Sequence, residues 1–201
     1  MTDNSLFLFD ESLKTNKGFL LCGVDEAGRG PLAGPVVAAA VILNDGFVLE
    51  EINDSKKLSE KKREALFPRI KENSIYGIGI ASPEEIDELN ILNATFLAMK
   101  RAVEELGTAV DLILVDGNRL PPIDGNMQAV VKGDGKSASI AAASILAKVT
   151  RDHIMQKLDE EYPQYDFKKH KGYPTKEHYA LLQQYGMSPC HRRSFFKKHK
   201  I

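Results

Sequence analysis

Cysteine is scarce in this chain: two in 201 residues, Cys22 and Cys190, far apart and in no C-x-x-C pair. That excludes a disulfide framework and a zinc cluster, and it fits a reducing compartment. Long hydrophobic runs are also missing. The longest clean one, Val36 to Leu43, is far too short to span a bilayer. The first residues carry Asp3, Asp10 and Glu11 rather than a basic stretch followed by an apolar core. No signal peptide is therefore expected, and the expected location is cytoplasmic. Repeats and low-complexity tracts are absent, and no Ser–His or Cys–His arrangement suggests nucleophilic catalysis. Net charge is nearly absent too, at −1, but its distribution is uneven. Residues 1–162 hold 18 Lys+Arg against 26 Asp+Glu, while residues 163–201 hold nine against two. An acidic body with a basic C-terminal segment suggests a polyanionic partner, and a merely solvated basic tail is the alternative.

What is present is an ordinary globular composition, 43% hydrophobic and 27% charged, long enough for one domain with an appendage. Residues 1–18 read as a loose N-terminal arm, 19–162 as the body, and 163–201 as a basic segment packed on it. Strands are expected at Leu20 to Asp25, Pro35 to Leu43, Ile75 to Ala81, Asp111 to Val115 and 127–132. A charged helix is expected over 55–72, with Leu58, Leu66 and Ile70 as its apolar stripe and Pro68 kinking or shortening it. Ser82-Pro83-Glu84-Glu85 opens a second helix, with Leu92, Phe96, Met99, Val103 and Leu106 as its core stripe and Gly107 as its end. A long Ala-rich helix follows over Ser137 to Leu158, and a short one near 176–185. The order implies an α/β fold with a mixed five-stranded sheet flanked by helices and a small C-terminal helical segment. Ligands are then expected beyond the carboxyl ends of its parallel strands.

The stretch Cys22 to Pro35 organises the chemistry. A buried strand ends in Asp25 and Glu26, and Gly28-Arg29-Gly30 follows. Two carboxylates at the end of a buried strand suit a hard divalent cation, and the glycine loop suits an anion, although a solvated turn has the same composition. Asp116 follows the fourth strand and Asp134 the fifth. Each alone reads as a turn or helix-capping acid. Four at strand ends suit two-metal phosphodiester cleavage. Because strand residues alternate, Glu26 is expected already in the turn. Gly135-Lys136-Ser137 is not a P-loop, since Val130 stands where glycine is required. Gly28-Arg29-Gly30 is not a dinucleotide fingerprint, since no helix opens there.

Gly23 to Pro31, Asp54-Ser55-Lys56-Lys57-Leu58, Val115 to Asn118, Lys132-Gly133-Asp134, Ser139 to Asp152 and His170 to Tyr173 together resemble bacterial ribonuclease HII, in order, from Gly23 to Phe195. The resemblance implies a ribonuclease H fold and a Mn²⁺- or Mg²⁺-dependent endonuclease. Such an enzyme cuts the RNA strand of RNA–DNA hybrids and cuts 5′ of ribonucleotides embedded in duplex DNA, leaving a 3′-hydroxyl and a 5′-phosphate. By the same resemblance Asp25, Glu26, Asp116 and Asp134 bind metal. Gly28, Arg29 and Gly30 contact the 2′-hydroxyl and adjoining phosphates, and Tyr173 stacks on the neighbouring deoxyribose. A packing role is the alternative for Tyr173. Lys136 and Ser139 are candidate phosphate contacts, and Arg192 and Arg193 are expected to hold the duplex backbone. Gly135, Pro174 and the Lys-rich end after Phe195 depart from the family pattern. A monomer is expected, and no protein partner, a replication clamp included, is assigned by the sequence. A catalytically silent nucleic-acid-binding module and another two-metal phosphotransfer enzyme on the same fold are the competing readings.

Overall fold

The computed structural model describes residues 5–49, 52 and 58–196. Five strands, β1 (Leu21–Ala27), β2 (Val36–Leu43), β3 (Ser74–Ala81), β4 (Leu112–Asp116) and β5 (Met127–Val130), form one sheet in the order β3-β2-β1-β4-β5. β2 runs antiparallel to both β1 and β3, whereas β4 is parallel to β1 and β5 to β4. The helices are α1 (Ser5–Leu13), α2 (Glu60–Glu72), α3 (Pro83–Leu89), α4 (Ile91–Glu105), α5 (Ala138–Glu161), α6 (Phe167–His170) and α7 (Lys176–Tyr185). The expected mixed sheet flanked by helices is the one observed.

Helix α5 covers one face of the sheet with α1 and α2 beside it, and α4 covers the other. Ser137 caps α5 by accepting from the Ile140 N–H, and the first ten residues of α5, rich in alanine, are all buried. Small side chains let it lie close to the sheet: a Cβ on Gly23 of β1 would run into the Ser139 and Ile140 backbone. On the opposite face Gly77 and Gly79 of β3 make the same close approach to the Ala98 and Ala102 backbone of α4. The apolar stripe expected on that helix is therefore rotated. Ala94, Thr95, Ala98 and Ala102 are buried with Met99, and Phe96 and Val103 lie at the flank.

Three local expectations are corrected. The single helix after Ser82 is two helices, because Asn90 takes φ +70° and its side chain accepts from the Leu92 and Asn93 N–H groups, starting α4 afresh. The capping box at Ser82 and Glu85 is present as expected. Helix α2 runs through Pro68, which is exposed, so water can reach the carbonyl left unpaired there. The N-terminal arm is not loose over its described length. Leu6 of α1 joins the α5-side core, and the buried Asp10 accepts from the Ser139 N–H and Oγ.

The C-terminal segment builds its core from Tyr165, Phe167, Leu182, Cys190 and Phe196, packed on Leu32, Ala33 and Met155 of the body. Inside it His170, His178 and His191 lie together, with His170 stacked on His178. Both cysteines are buried free thiols. No helix among the described residues is long and apolar enough to cross a membrane. The Asp54-Ser55-Lys56-Lys57 motif and the Lys-rich end lie outside the described residues.

Candidate active site

The site forms where β1 and β4, parallel neighbours, present their carboxyl ends. Asp25 pairs with Ala39 and Glu26 with Ala38. Ala39 belongs to the α5-side core and Ala38 to the α4-side core. Strand alternation is therefore kept, and the expectation that Glu26 lies in the turn is corrected. β1 continues to Ala27 because β2 pairs with it as far as Val37. The two carboxylates straddle the sheet's end. A cleft of about 290 Å³ is lined by Asp25, Glu26, Gly28, Arg29, Gly30, Asp116 and Tyr173, with Arg63, Ser144 and Lys148. A neighbouring hollow of about 390 Å³ takes Glu26, Arg29 and Asp116 to the α4 side.

Asp25 is 4% exposed. Burial, and then the negative charges of Glu26 and Asp116, push its pKa well above the ordinary carboxylate value, against hydrogen bonds from the Ser144 side chain and the Glu26 N–H. Asp116 Oδ1 accepts from the Gly133 N–H at 2.6 Å, tying the end of β4 to the 3₁₀ turn Gly133–Gly135. Asp134 is buried in that turn and does not line the cleft. Among the described residues no three His, Cys, Asp or Glu side chains already stand in a metal-ligating group. The donor set nevertheless fits a hard divalent cation. It is all oxygen, and Asp25 is buried beside the negative charges of Glu26 and Asp116, which a bound cation would offset. Arg29 supplies part of the balance, with Nη1 at 3.3 Å from Glu26 Oε1.

Tyr173 is 41% exposed, and its ring lies beside Gly30, so it is not the buried packing tyrosine of the alternative. Its loop is held from behind. The Tyr173 N–H donates to the His170 carbonyl, and the Tyr173 carbonyl accepts from the Thr175 N–H and from His178 Nδ1. The tautomers follow from the donors. His191 Nδ1 accepts from the Ser188 N–H, so its Nε2–H donates to His178 Nε2 at 3.0 Å, which leaves the His178 proton on Nδ1, facing Tyr173. Burial lowers the pKa of both His178 and His191 to about 4, which keeps this relay neutral. Pro174 sits at the centre of the tight turn closed by the Thr175 N–H, where its fixed φ is suited.

Two expected substrate contacts are corrected. Ser139 is buried, and its Oγ donates to Asp10 of α1, away from the residues that line the cleft. Arg192 is fully buried, and all its hydrogen bonds go to backbone carbonyls of residues 28–35. Neither reaches a duplex, because burial removes both from solvent. Lys136 and Arg193 are exposed, and the backbone at Arg193 is pinned by Asp87. Sequence reasoning did not single out Ser144, Lys148 or Arg63 as lining the cleft, nor Arg151 behind it. Ser144, Lys148 and Arg151 all lie on α5, and their spacing of three and four residues, which puts side chains on one helix face, was the available signal.

The family model described as Ribonuclease HII matches residues 22–198. The ribonuclease HII of Clostridioides difficile (strain 630) is 59% identical over 184 residues, covering 90% of this chain and 72% of that one. That of Caldicellulosiruptor bescii is 53% identical over 197 residues, covering 97% and 95%. Among solved structures, the ribonuclease HII in the PCNA:RNase HII complex from Archaeoglobus fulgidus superposes with a TM-score of 0.72 at 26% identity, covering 91% of this chain and 96% of that one. Ribonuclease H2 from Pyrococcus horikoshii OT3 gives 0.69 at 28%, covering 87% and 92%. A carboxylate-lined cleft at the end of a mixed five-stranded sheet thus comes with a match over nearly the whole chain, and the chain belongs to the ribonuclease HII family, whose members are endonucleases that cut the RNA of RNA–DNA hybrids.

Proposed function

We propose that this chain hydrolyses the RNA strand of hybrids and also cuts 5′ of single ribonucleotides embedded in duplex DNA, by two-metal-ion catalysis that leaves a 3′-hydroxyl and a 5′-phosphate. Its role is then the removal of ribonucleotides from DNA, by a monomer acting in the cytoplasm. The observation that carries the reading is the meeting of Asp25, Glu26 and Asp116 with the Gly28–Gly30 loop and Tyr173 in one cleft. Asp25, Glu26 and Asp116, which line the cleft, would hold Mn²⁺ or Mg²⁺, with Asp134 as a fourth ligand from the turn beside them. Bound there, the cations would activate a water and stabilise the leaving 3′-oxygen.

The remaining work falls to the chain's own groups. Backbone N–H groups of the glycine loop meet the 2′-hydroxyl, the one feature that separates RNA from DNA at the site. Arg29, Lys136, Lys148 and Arg193 supply positive charge to the phosphates, and Tyr173 offers an open ring face to a sugar. A pure binding module is disfavoured, because three converging carboxylates repel a polyanion. The test is a DNA duplex carrying one internal ribonucleotide, incubated with Mn²⁺, with Mg²⁺ and with chelator. A metal-dependent cut 5′ of the ribonucleotide is expected. Cleavage of continuous hybrid alone would discard the junction roles of the loop and of Tyr173. In parallel, Asp116→Asn should keep its fold and lose cleavage by about a thousandfold or more. Near-normal turnover would remove Asp116 from the metal site.

A further inference from the structure

Arg192 and Arg151 are both fully buried, and among the described residues no carboxylate is a hydrogen-bond partner of either. Removing two guanidinium charges from water is costly unless every donor is matched. Arg192 matches all five. Nε donates to the Gly34 carbonyl at 2.9 Å, Nη1 to Arg29 at 3.1 Å and Pro31 at 2.8 Å, and Nη2 to Gly28 at 2.6 Å and Pro35 at 3.1 Å. Arg151 donates from Nε to Pro35 at 3.0 Å, from Nη2 to Ala33 at 3.1 Å and from Nη1 to Lys171 at 3.1 Å. One cation gathers the glycine loop, and the other joins that loop to the Tyr173 loop.

The planar trans peptide makes this gathering directional. Within each peptide unit the C=O of one residue and the N–H of the next point in opposite directions. Turning the Gly28 and Arg29 carbonyls inward onto Arg192 therefore turns the Arg29 and Gly30 N–H groups away from it. The Pro31 carbonyl is also inward, and the Leu32 N–H it turns away donates to the Gly172 carbonyl at 2.8 Å, beside Tyr173. The guanidinium of Arg151 lies 5.9 Å from the Tyr173 ring centroid. Gly28 is at φ +96°, and a Cβ there would strike Arg151. The close fit leaves the loop no room to turn its peptides over.

We propose that Arg192, supported by Arg151, is a positioning residue for ribonucleotide selection. It holds the Gly28 and Arg29 carbonyls inward so that the Arg29 and Gly30 N–H groups face a single 2′-hydroxyl, in fixed register with Tyr173. The inference rests on the roles given above to the glycine loop and Tyr173.

The experiment compares kcat/KM on a duplex with one ribonucleotide and on a continuous RNA–DNA hybrid, for the full chain and for Arg192→Lys, Arg151→Lys and Tyr173→Ala. Lysine keeps the charge but not the fork of five donors. A loosened loop can still catch one of many hydroxyls along a hybrid, but a lone ribonucleotide offers only one. Arg192→Lys should therefore lower single-ribonucleotide cleavage by about ten- to a hundredfold, with hybrid cleavage reduced about threefold or less. A purely structural role would reduce both substrates equally through the folded fraction, leaving their ratio unchanged. That result would overturn the proposal. If Arg192→Lys does not fold, Arg151→Lys carries the same comparison. In the unmutated protein the Arg29 and Gly30 amide resonances should shift more with the ribonucleotide duplex than with all-DNA duplex, and equal shifts would count against it without any variant. If Tyr173→Ala also leaves the ratio unchanged, the junction reading itself fails. If Tyr173→Ala moves the ratio and the arginine variants do not, only the positioning role fails.

Discussion

Asp25 shows how one residue can serve chemistry at the expense of stability. Its carboxyl is buried and faces two other acids, so it ionises less readily in the folded chain than in the unfolded one. A carboxyl raised in this way costs stability as pH rises above the ordinary carboxylate range. At neutral pH in chelator, Asp25→Asn should raise Tm, by a gain on the order of 1 kcal/mol, while abolishing cleavage. Thermal melts with chelator and with Mn²⁺ check this, and a lower Tm in chelator would mean that the charge is already balanced. Arg192 teaches the opposite lesson. In the sequence it reads as an exposed phosphate contact, but charge type says nothing about whether a side chain points to solvent or to five carbonyls.

Elements meet through backbone rather than through large side chains on both faces of this sheet. Gly23 admits the start of α5, and Gly77 and Gly79 admit α4. The β3 alternation Tyr76-Gly77-Ile78-Gly79 was legible as a strand. That its glycines face a helix of alanines was not, because the pairing depends on which face α4 covers. Gly77→Ala places a Cβ against the Ala102 carbonyl oxygen, a backbone atom that cannot swing aside. Chemical denaturation should record a loss of about 1–3 kcal/mol, with cleavage per folded molecule retained. A neutral result would mean that α4 can shift outward at little cost. The break at Asn90 was missed for a related reason: apolar periodicity runs through both α3 and α4, and only backbone geometry separates them.

At the scale of the whole molecule, the C-terminal segment closes the site from behind. His170, His178 and His191 sit among Phe167, Tyr165 and Phe196, and the relay from His191 through His178 ends on the Tyr173 carbonyl. His178 and His191 titrate near 4 when folded, below the ordinary histidine value. Between about pH 6.5 and about pH 4 the unfolded chain therefore binds more protons, so stability falls as pH falls through that window. Each histidine contributes up to about 1.4 kcal/mol per pH unit there. Denaturation midpoints compared at about pH 7 and about pH 5 should show the loss, and His178→Asn should flatten the dependence. A midpoint indifferent to pH over this range would mean that the folded pair takes up protons as readily as the unfolded chain does.

The local message of the chain determined a great deal by itself. Strand and helix order, the capping box at Ser82 and the run of acids at strand ends follow from periodicity and short-range chemistry, which neighbouring residues carry in full. The long motifs around Asp25, Asp116 and Asp134 carried the family resemblance for the same reason. Only the tertiary structure decided which of those residues share a cleft. Asp25, Glu26 and Asp116 meet because β4 lies parallel beside β1, a pairing between segments some ninety residues apart. Ser139 turned inward because α1 covers it, and Arg192 because the loop of residues 28–35 closes around it. Burial is set by what packs from elsewhere in the chain, and no local pattern holds that information.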